Sequence, residues 1–352
     1  MAAPLPLVSV VIPMRNEAAH IDACIDSVLA QDYPADRLEV IVVDGDSDDG
    51  SLAVLSRYGA RLRVLRNPAR IVPTAMNIGI RAVRGEIIAR VDAHTILAPS
   101  YIRTGVETLQ CTGADNVGGP MHAVGGGRVG LAVARAMASR FGIGTYFHFA
   151  TEDRDVDTVY MGMYPRTVFE RIGLFDEELV RNQDDELNYR LRKAGGRVFV
   201  TTRMVSHYQN RQSFKTLARQ FFQYGLWKIR VLQKHPRQMS VRQFVPPLFV
   251  GTLVASAALA PWCAVAAGLF VVTLAAYAVA VTLATATVAG RDWRLAPLVG
   301  AAFATMHLSW GCGFLLGALR FAARWFATEP VPPQLPAAPT RSAEFARVSA
   351  SD

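Results

Sequence analysis

Acidic residues are missing from the whole stretch between Arg190 and Arg242, and charge of either sign is missing from Gln243 to Gly290. The first absence leaves a segment whose only formal charges are cations. The second excludes an ordinary solvated surface for that entire run. A cation-only segment just ahead of an uncharged one reads as the cytoplasmic flank of a membrane segment. Cysteine is scarce as well: Cys24, Cys111, Cys263 and Cys312 lie far apart and form no C-x-x-C pair. That excludes a zinc ribbon or thioredoxin-like redox motif, and all four are expected to be small buried hydrophobes. No G-x-G-x-x-G follows the first apolar run, which disfavours a dinucleotide fold, and no G-x-x-x-x-G-K-[ST] is present, which excludes a P-loop. The start, MAAPLPLVSVVIP, lacks the basic n-region of a signal peptide, so the polar part is expected in the cytoplasm. Net charge is +8, but no helix-turn-helix, zinc-finger or RNA-recognition signature accompanies it. The expected partner is therefore a membrane or a phosphorylated substrate, not nucleic acid.

What is present divides the 352 residues in two. Leu7 to Pro13 is a β-branched apolar run of the kind buried on both faces of a parallel sheet. Strand patterns recur at Leu38–Val43, Arg61–Leu65 and Glu86–Val91, with helical spacing between them, for example Ile21, Cys24, Ile25 and Val28. This alternation predicts βαβ units in a doubly wound, mostly parallel sheet, an α/β fold whose ligands sit beyond the carboxyl ends of the strands. Pro13-Met-Arg-Asn-Glu17, the loop from Asp44 to Asp49, and Asp92-Ala-His94 all fall at such ends.

Beyond residue 243 the uncharged run would make a single helix of roughly 70 Å, more than twice a ~30 Å hydrocarbon core. Two helices turning near Pro261 fit better, and a third uncharged run follows Arg291. The expected organisation is a domain over residues 1–235, a membrane part over 236–326 with about three spans (246–263, 265–289 and 295–319), and a disordered tail over 327–352. Three spans cannot place the basic flanks at Arg242, Arg291 and Arg320 all on one side.

Several clusters carry possible chemistry, each beside a plainer reading. Asp92 and His94 are either a strand-to-turn transition or ligands of Mg²⁺ or Mn²⁺ that would bridge the diphosphate of a nucleotide-sugar. Pro13, Arg15, Glu17 and Asp44 form a candidate nucleotide pocket, in which Asp44 can accept from a base N–H and Glu17 can reach a ribose hydroxyl. Asp184 and Asp185 open a helix, where acids favour the macrodipole, and either can also serve as a general base for an acceptor hydroxyl. His207 is a further metal ligand, a pyrophosphate contact or a structural histidine. The segment Arg219–Lys228 mixes cations with aromatics. It is an interfacial helix that either contacts anionic lipid or holds the diphosphate of a lipid-linked acceptor.

The segments VSVVIPMRNE, VIVVDGDSDDGS, AMNIGIRAVRGEIIARVDAHT, GLFDEELVRNQDDELNYRLRKAGG and VSHYQNRQSFKTLARQFFQYGLWK, taken in that order over residues 7 to 235, resemble family 2 glycosyltransferases of the GT-A fold. Within the family they are similar to membrane-bound exopolysaccharide enzymes of the succinoglycan type. The resemblance implies inverting transfer of a hexose, glucose in particular, from a UDP-sugar to a lipid-diphosphate-linked glycan, at the inner membrane of a bacterium. It also implies that Pro13, Arg15, Glu17, Asp44, Asp46, Asn77 and Asp92 hold the donor. Asp92, His94 and His207 would hold the cation, and Asp184 or Asp185 would be the base. The family pattern is not matched everywhere: the metal motif reads Asp-Ala-His, Gln183 stands where Glu is usual, and no Q-x-x-R-W follows His207. The last departure implies single-sugar addition in place of processive synthesis. The alternatives are transfer to a polyprenyl phosphate or a glycolipid, and a non-catalytic membrane scaffold that keeps the fold.

Overall fold

The computed structural model describes residues 4–124, 126–210, 212–290, 292–327 and 330–335. Its first half alternates as the apolar pattern requires: β1 (Val8–Met14), α1 (Ile21–Leu29), β2 (Leu38–Asp44), α2 (Ser51–Ser56), β3 (Arg63–Arg66), α3 (Val72–Ala82) and β4 (Ile87–Arg90). There follow β5 (Thr95–Leu97), α4 (Tyr101–Thr112), β6 (Asn116–Gly119), β7 (Met121–Val124), α5 (Gly127–Met137), β8 (Arg154–Asp155), β9 (Tyr160–Pro165), α6 (Arg166–Ile172), α7 (Gln183–Lys193), β10 (Val198–Val200) and β11 (Ser206–Gln209). Four helices complete the chain: α8 (Phe214–Lys234), α9 (Val245–Leu259), α10 (Ala264–Ala289) and α11 (Ala296–Arg320).

Eight strands form one sheet in the order β3-β2-β1-β4-β9-β6-β10-β8. β1, β2, β3 and β4 run parallel, and β9 lies antiparallel between β4 and β6. A smaller sheet, β5-β11-β7, stands beside it. All seven residues of β1 are buried. Val8, Val10 and Ile12 face a core shared with α1 and α4, while Val11 faces a second core shared with α3, α6 and α7. A strand covered on both faces has no polar side, which is why β1 reads as a continuous apolar run.

The third strand starts at Arg63 and the fourth at Ile87, so both are shorter than the patterns at Arg61 and Glu86 indicated. The short acidic stretch around Asp155 pairs as β8 on the sheet edge. Only Cys24 is buried, and desolvation pushes its thiol up to about 12, well away from reactivity. Cys111, Cys263 and Cys312 are exposed. Cys111 lies off the face by which α4 buries Ile102, Val106 and Leu109, and α10 leaves most of its apolar surface outside the protein. Three helical segments, Val241–Leu259, Ala264–Ala289 and Trp293–Arg320, are long and apolar enough to cross a membrane by length and composition. Of the tail expected from 327 to 352, residues 328–329 and 336–352 lie outside the described residues. The rest includes a docked strap: Leu174 donates its N–H to Pro333 O (2.7 Å), and Leu335 is buried against the α3, α6 and α7 core.

Candidate active site

The ends of β1 and β4 open into one cavity of about 2020 Å³. Pro13 and Arg15 line it from β1 and the turn after it. That turn is held by the side chain of Asn16, whose left-handed backbone (φ 56°) lets it donate to Asp48 Oδ1 (2.8 Å) and accept from Asp48 N–H (3.0 Å). Asn16 therefore ties the β1 and β2 ends together; helix α1 starts later, at Ile21.

Asp92 sits two residues beyond β4. Arg90, the last residue of that strand, is buried and donates from Nε to Asp92 Oδ1 at 2.8 Å. Its Nη1 also lies 3.9 Å from Asp184 Oδ2 across the cavity floor. Burial acts to raise Asp92, but the charges of Arg90 and His94 outweigh it, and its carboxyl is held below the usual range. Asp92 is thus an anion at neutral pH. His94 lies beside it, edge-on to the Tyr208 ring (centroids 5.1 Å apart), with Nδ1 2.9 Å from Glu17 Oε1. Glu17, read from the sequence as a ribose contact, lines the cavity and also orients the His94 imidazole.

The opposite wall is the start of α7. Asp184 and Asp185 are neighbours in sequence but face different surroundings. Asp185 pairs with the Nζ of Lys228, a lysine almost fully buried on α8. Among the described residues Asp184 has no such partner; it accepts an N–H from Asp185 (2.9 Å) and has Arg90 at 3.9 Å. Enclosure by the cavity walls raises its carboxyl above the ordinary value, Arg90 pulls it back, and the charges of Asp185 and Asp92 push it up again. A raised carboxylate next to a fixed cation is suited to accepting a proton.

Three other expected donor contacts do not line this cavity. Asn77 is completely buried on α3 and does not line the cavity. Its amide clamps the turn before α7, donating to Phe175 O (2.9 Å) and Glu177 Oε1 (2.8 Å) and accepting from Phe175 N–H (2.9 Å). Asp46 is turned outward by a left-handed backbone (φ 55°) and pairs with Arg66 (2.6 Å) and Arg70 (3.4 Å). Asp44 is buried, and its carboxylate closes its own turn by accepting from Ser47 Oγ (2.5 Å) and Ser47 N–H. The cavity meets this turn at Gly45 instead. His207 is not brought to Asp92 and His94. On β11 it alternates with Tyr208, so Tyr208 faces the cavity while His207 is exposed and lies beside His122 (centroids 5.8 Å apart). Among the described residues no group of three or more His, Cys, Asp or Glu could hold a metal.

Sequence reading missed Arg90 and Lys228. Arg90 could have been noticed as a cation inside the strand Ile-Ile-Ala-Arg-Val. Nothing local marks Lys228 among the other cations of its helix. Asn77→Ala is expected to cost about 1–3 kcal/mol, because two buried backbone groups of Phe175 lose their partner. Thermal unfolding should report that loss while the KM for the donor stays unchanged.

A parallel sheet with an antiparallel insertion, a carboxylate pair across its C-terminal rim and a side sheet carrying an aromatic wall define a GT-A glycosyltransferase. A Glycosyl transferase family 2 domain is recognised over residues 9–173. The chain is 31% identical over 326 residues to succinoglycan biosynthesis protein ExoA of Rhizobium meliloti, covering 90% of this chain and 96% of that protein. It is 28% identical over 239 residues to the dolichyl N-acetyl-α-D-glucosaminyl phosphate 3-β-D-2,3-diacetamido-2,3-dideoxy-β-D-glucuronosyltransferase of Methanococcus voltae, covering 64% and 74% of the two chains. Among solved structures, the mannosyltransferase PcManGT of Pyrobaculum calidifontis, in complex with GDP-Man and Mn²⁺, superposes with a TM-score of 0.57 at 22% identity, covering 88% of each chain. The chain belongs to glycosyltransferase family 2, and it is a glycosyltransferase.

Proposed function

We propose that the chain transfers one hexose, glucose, from a UDP-sugar to a lipid-diphosphate-linked glycan, with inversion and with a divalent cation, in exopolysaccharide assembly at the inner face of a bacterial membrane. The observation that carries this reading is the continuity of the cavity. Asp92, His94 and Asp184 line it, and so do Phe249, Thr252, Val272 and Tyr277 of the apolar helices α9 and α10. A lipid-linked acceptor is the substrate whose ends match those two surroundings. Arg140, Arg219 and Arg242 line the same cavity, and an acceptor diphosphate would need such cations. The resemblance in sequence to ExoA supports the pathway class.

The residues present fit a cation that takes most of its ligands from a substrate diphosphate. They offer one carboxylate, with one oxygen engaged by Arg90, and one oriented imidazole; Mg²⁺ or Mn²⁺ bound with phosphates needs only one or two carboxylates from the protein. They do not fit a closed protein cage. When bound, the cation would neutralise charge on the departing diphosphate. In the transfer, the acceptor oxygen bonds to the anomeric carbon as the bond from that carbon to the diphosphate oxygen breaks. The electron pair leaves with UDP, and the acceptor proton passes to Asp184. Arg90 favours the ionised form of Asp184 and stands between it and Asp92.

Detergent-solubilised chain should turn over one UDP-sugar in a panel of UDP-, GDP- and dTDP-sugars, require Mn²⁺ or Mg²⁺, and lose turnover in Asp92→Ala. Turnover of a GDP- or dTDP-sugar alone would replace the donor assignment. No turnover of any donor with membrane lipid extract as acceptor would leave a scaffold. Loss of the group that orients a metal-bound histidine typically weakens metal affinity about 10–100-fold. Glu17→Ala should therefore raise the Mn²⁺ needed for half-maximal turnover by that factor, and His207→Ala should leave it unchanged.

A further inference from the structure

We infer that α11 does not cross the membrane: the bilayer-inserted part of this protein is the α9–α10 hairpin alone, and the chain beyond α11 returns to the side that holds the catalytic domain. The argument is independent of which sugar is transferred.

Helix α11 packs on α8 from Trp310 to Phe321, and the two run in the same direction. Gly313 meets the backbone of Phe222 so closely that a Cβ there would clash with Phe222 O, and a Cβ on Gly317 would stand 2.6 Å from Leu226 O. Farther along, Gln233 Nε2 donates to Phe321 O at 2.8 Å. Helix α8 cannot be at membrane depth. It carries Lys228, Arg230 and Lys234, which reach Asp185, Glu178 and Asp176 in and before the catalytic helix α7. Over that stretch α11 shares the depth of α8, and it meets the hairpin near its foot, where Gly311 abuts Pro246 O.

The first half of α11 makes the same point. Val299, Ala302, Phe303 and Met306 belong to one core with α5, Tyr208 of the side sheet and Phe221 of α8. Both ends of α11 thus abut the catalytic domain. The inner stripe is buried in protein, and the outer stripe is Leu308, Cys312, Leu316 and Leu319, all exposed. Each end carries exposed aromatics next to arginine, Trp293 with Arg294 and Trp325 with Arg324, the pattern of a helix lying in the interface.

The hairpin behaves differently. Both of its feet touch the catalytic domain: Arg242 Nη2 donates to Arg140 O (2.7 Å), and Arg135 Nη1 donates to Ala289 O (3.0 Å) at the end of α10. Its tip, at Pro261 and Trp262, is exposed, and only 6% of the most apolar window of α10 is buried within the protein. Apolar surface on that scale has no partner but hydrocarbon. With two crossings, Arg242, Arg294, Arg320 and Arg324 all fall on one side, as the positive-inside rule requires. Three crossings would strand Arg320 and Arg324 on the other. The strap at Pro333 and Leu335, docked on the catalytic domain, fixes the same outcome.

The test is protease protection of full-length chain in sealed membrane vesicles, with one epitope tag at each terminus, after carbonate washing. The expected result is that the chain stays with the washed membranes and both tags share one fate, both digested or both protected. Opposite fates would mean an odd number of crossings and would overturn the inference, as would release of the chain by carbonate. Neither readout depends on turnover, so failure here is separable from failure of the proposed reaction.

Discussion

Asp184→Asn is expected to lower kcat by about 10²–10⁴, the usual contribution of a positioned general base, with no loss of thermal stability. The amide keeps the shape of the carboxyl and removes a negative charge that stands near both Asp185 and Asp92. Its short contact with the N–H of Asp185 still finds a carbonyl oxygen. The pH profile gives an independent check. The base must be ionised to act, so kcat/KM falls as pH drops through its pKa. That pKa is raised by enclosure, so the acid limb of the wild-type profile should lie above the ordinary carboxylate range and be absent from the residual activity of Asp184→Asn. An Asp184→Asn enzyme with wild-type kcat would remove Asp184 from the reaction. Asp185→Asn separates the two neighbours: it should fail first in stability, because it leaves Lys228 buried without its counter-charge.

Lys228→Met carries the second large effect. Lys228 is about 1% exposed, and its ammonium ends on Asp185 at the mouth of α7. Removing one member of a buried pair costs about 3–5 kcal/mol, because the other charge is left uncompensated. Asp185 keeps 27% of its side-chain surface, so the lower end, about 3 kcal/mol, is expected in thermal or denaturant unfolding. The double variant Lys228→Met/Asp185→Asn should recover most of that loss, since no unpaired charge remains. The single variant should also move the acid limb of the rate profile upward. An unneutralised Asp185 repels charge on Asp184 more strongly, and the base then needs a higher pH to ionise. A loss in the double variant equal to the sum of the two single losses would show that the pair is not coupled.

Much of this was open to reading from local pattern. The β1 run, the helical spacing of Ile21, Cys24, Ile25 and Val28, and the turn-forming loop after β2 each depend on a few consecutive residues, and each folds as its spacing dictates. Asp92 was legible for the same reason: a carboxylate directly after a buried strand has little freedom in where it points. Asn77 and His207 were not. Both lie within segments that match the family, but their side-chain directions depend on a partner far away in sequence, the backbone of Phe175 for one and the alternation of β11 against β7 for the other. The choice between Asp184 and Asp185 waited on Lys228, which is 43 residues from Asp185.

The sequence by itself determined the α/β alternation, the rim on which the acids gather and the presence of helices apolar enough for a membrane, because all three follow from periodicity and composition over short windows. The tertiary structure alone decided which acid is shielded by a lysine, which asparagine is spent on holding a turn, and which apolar helix is packed against protein. Hydropathy measures how strongly a segment avoids water, not what covers it. A helix buried against α8 and a helix buried in lipid satisfy the same local rule, and only long-range packing tells α11 from α10.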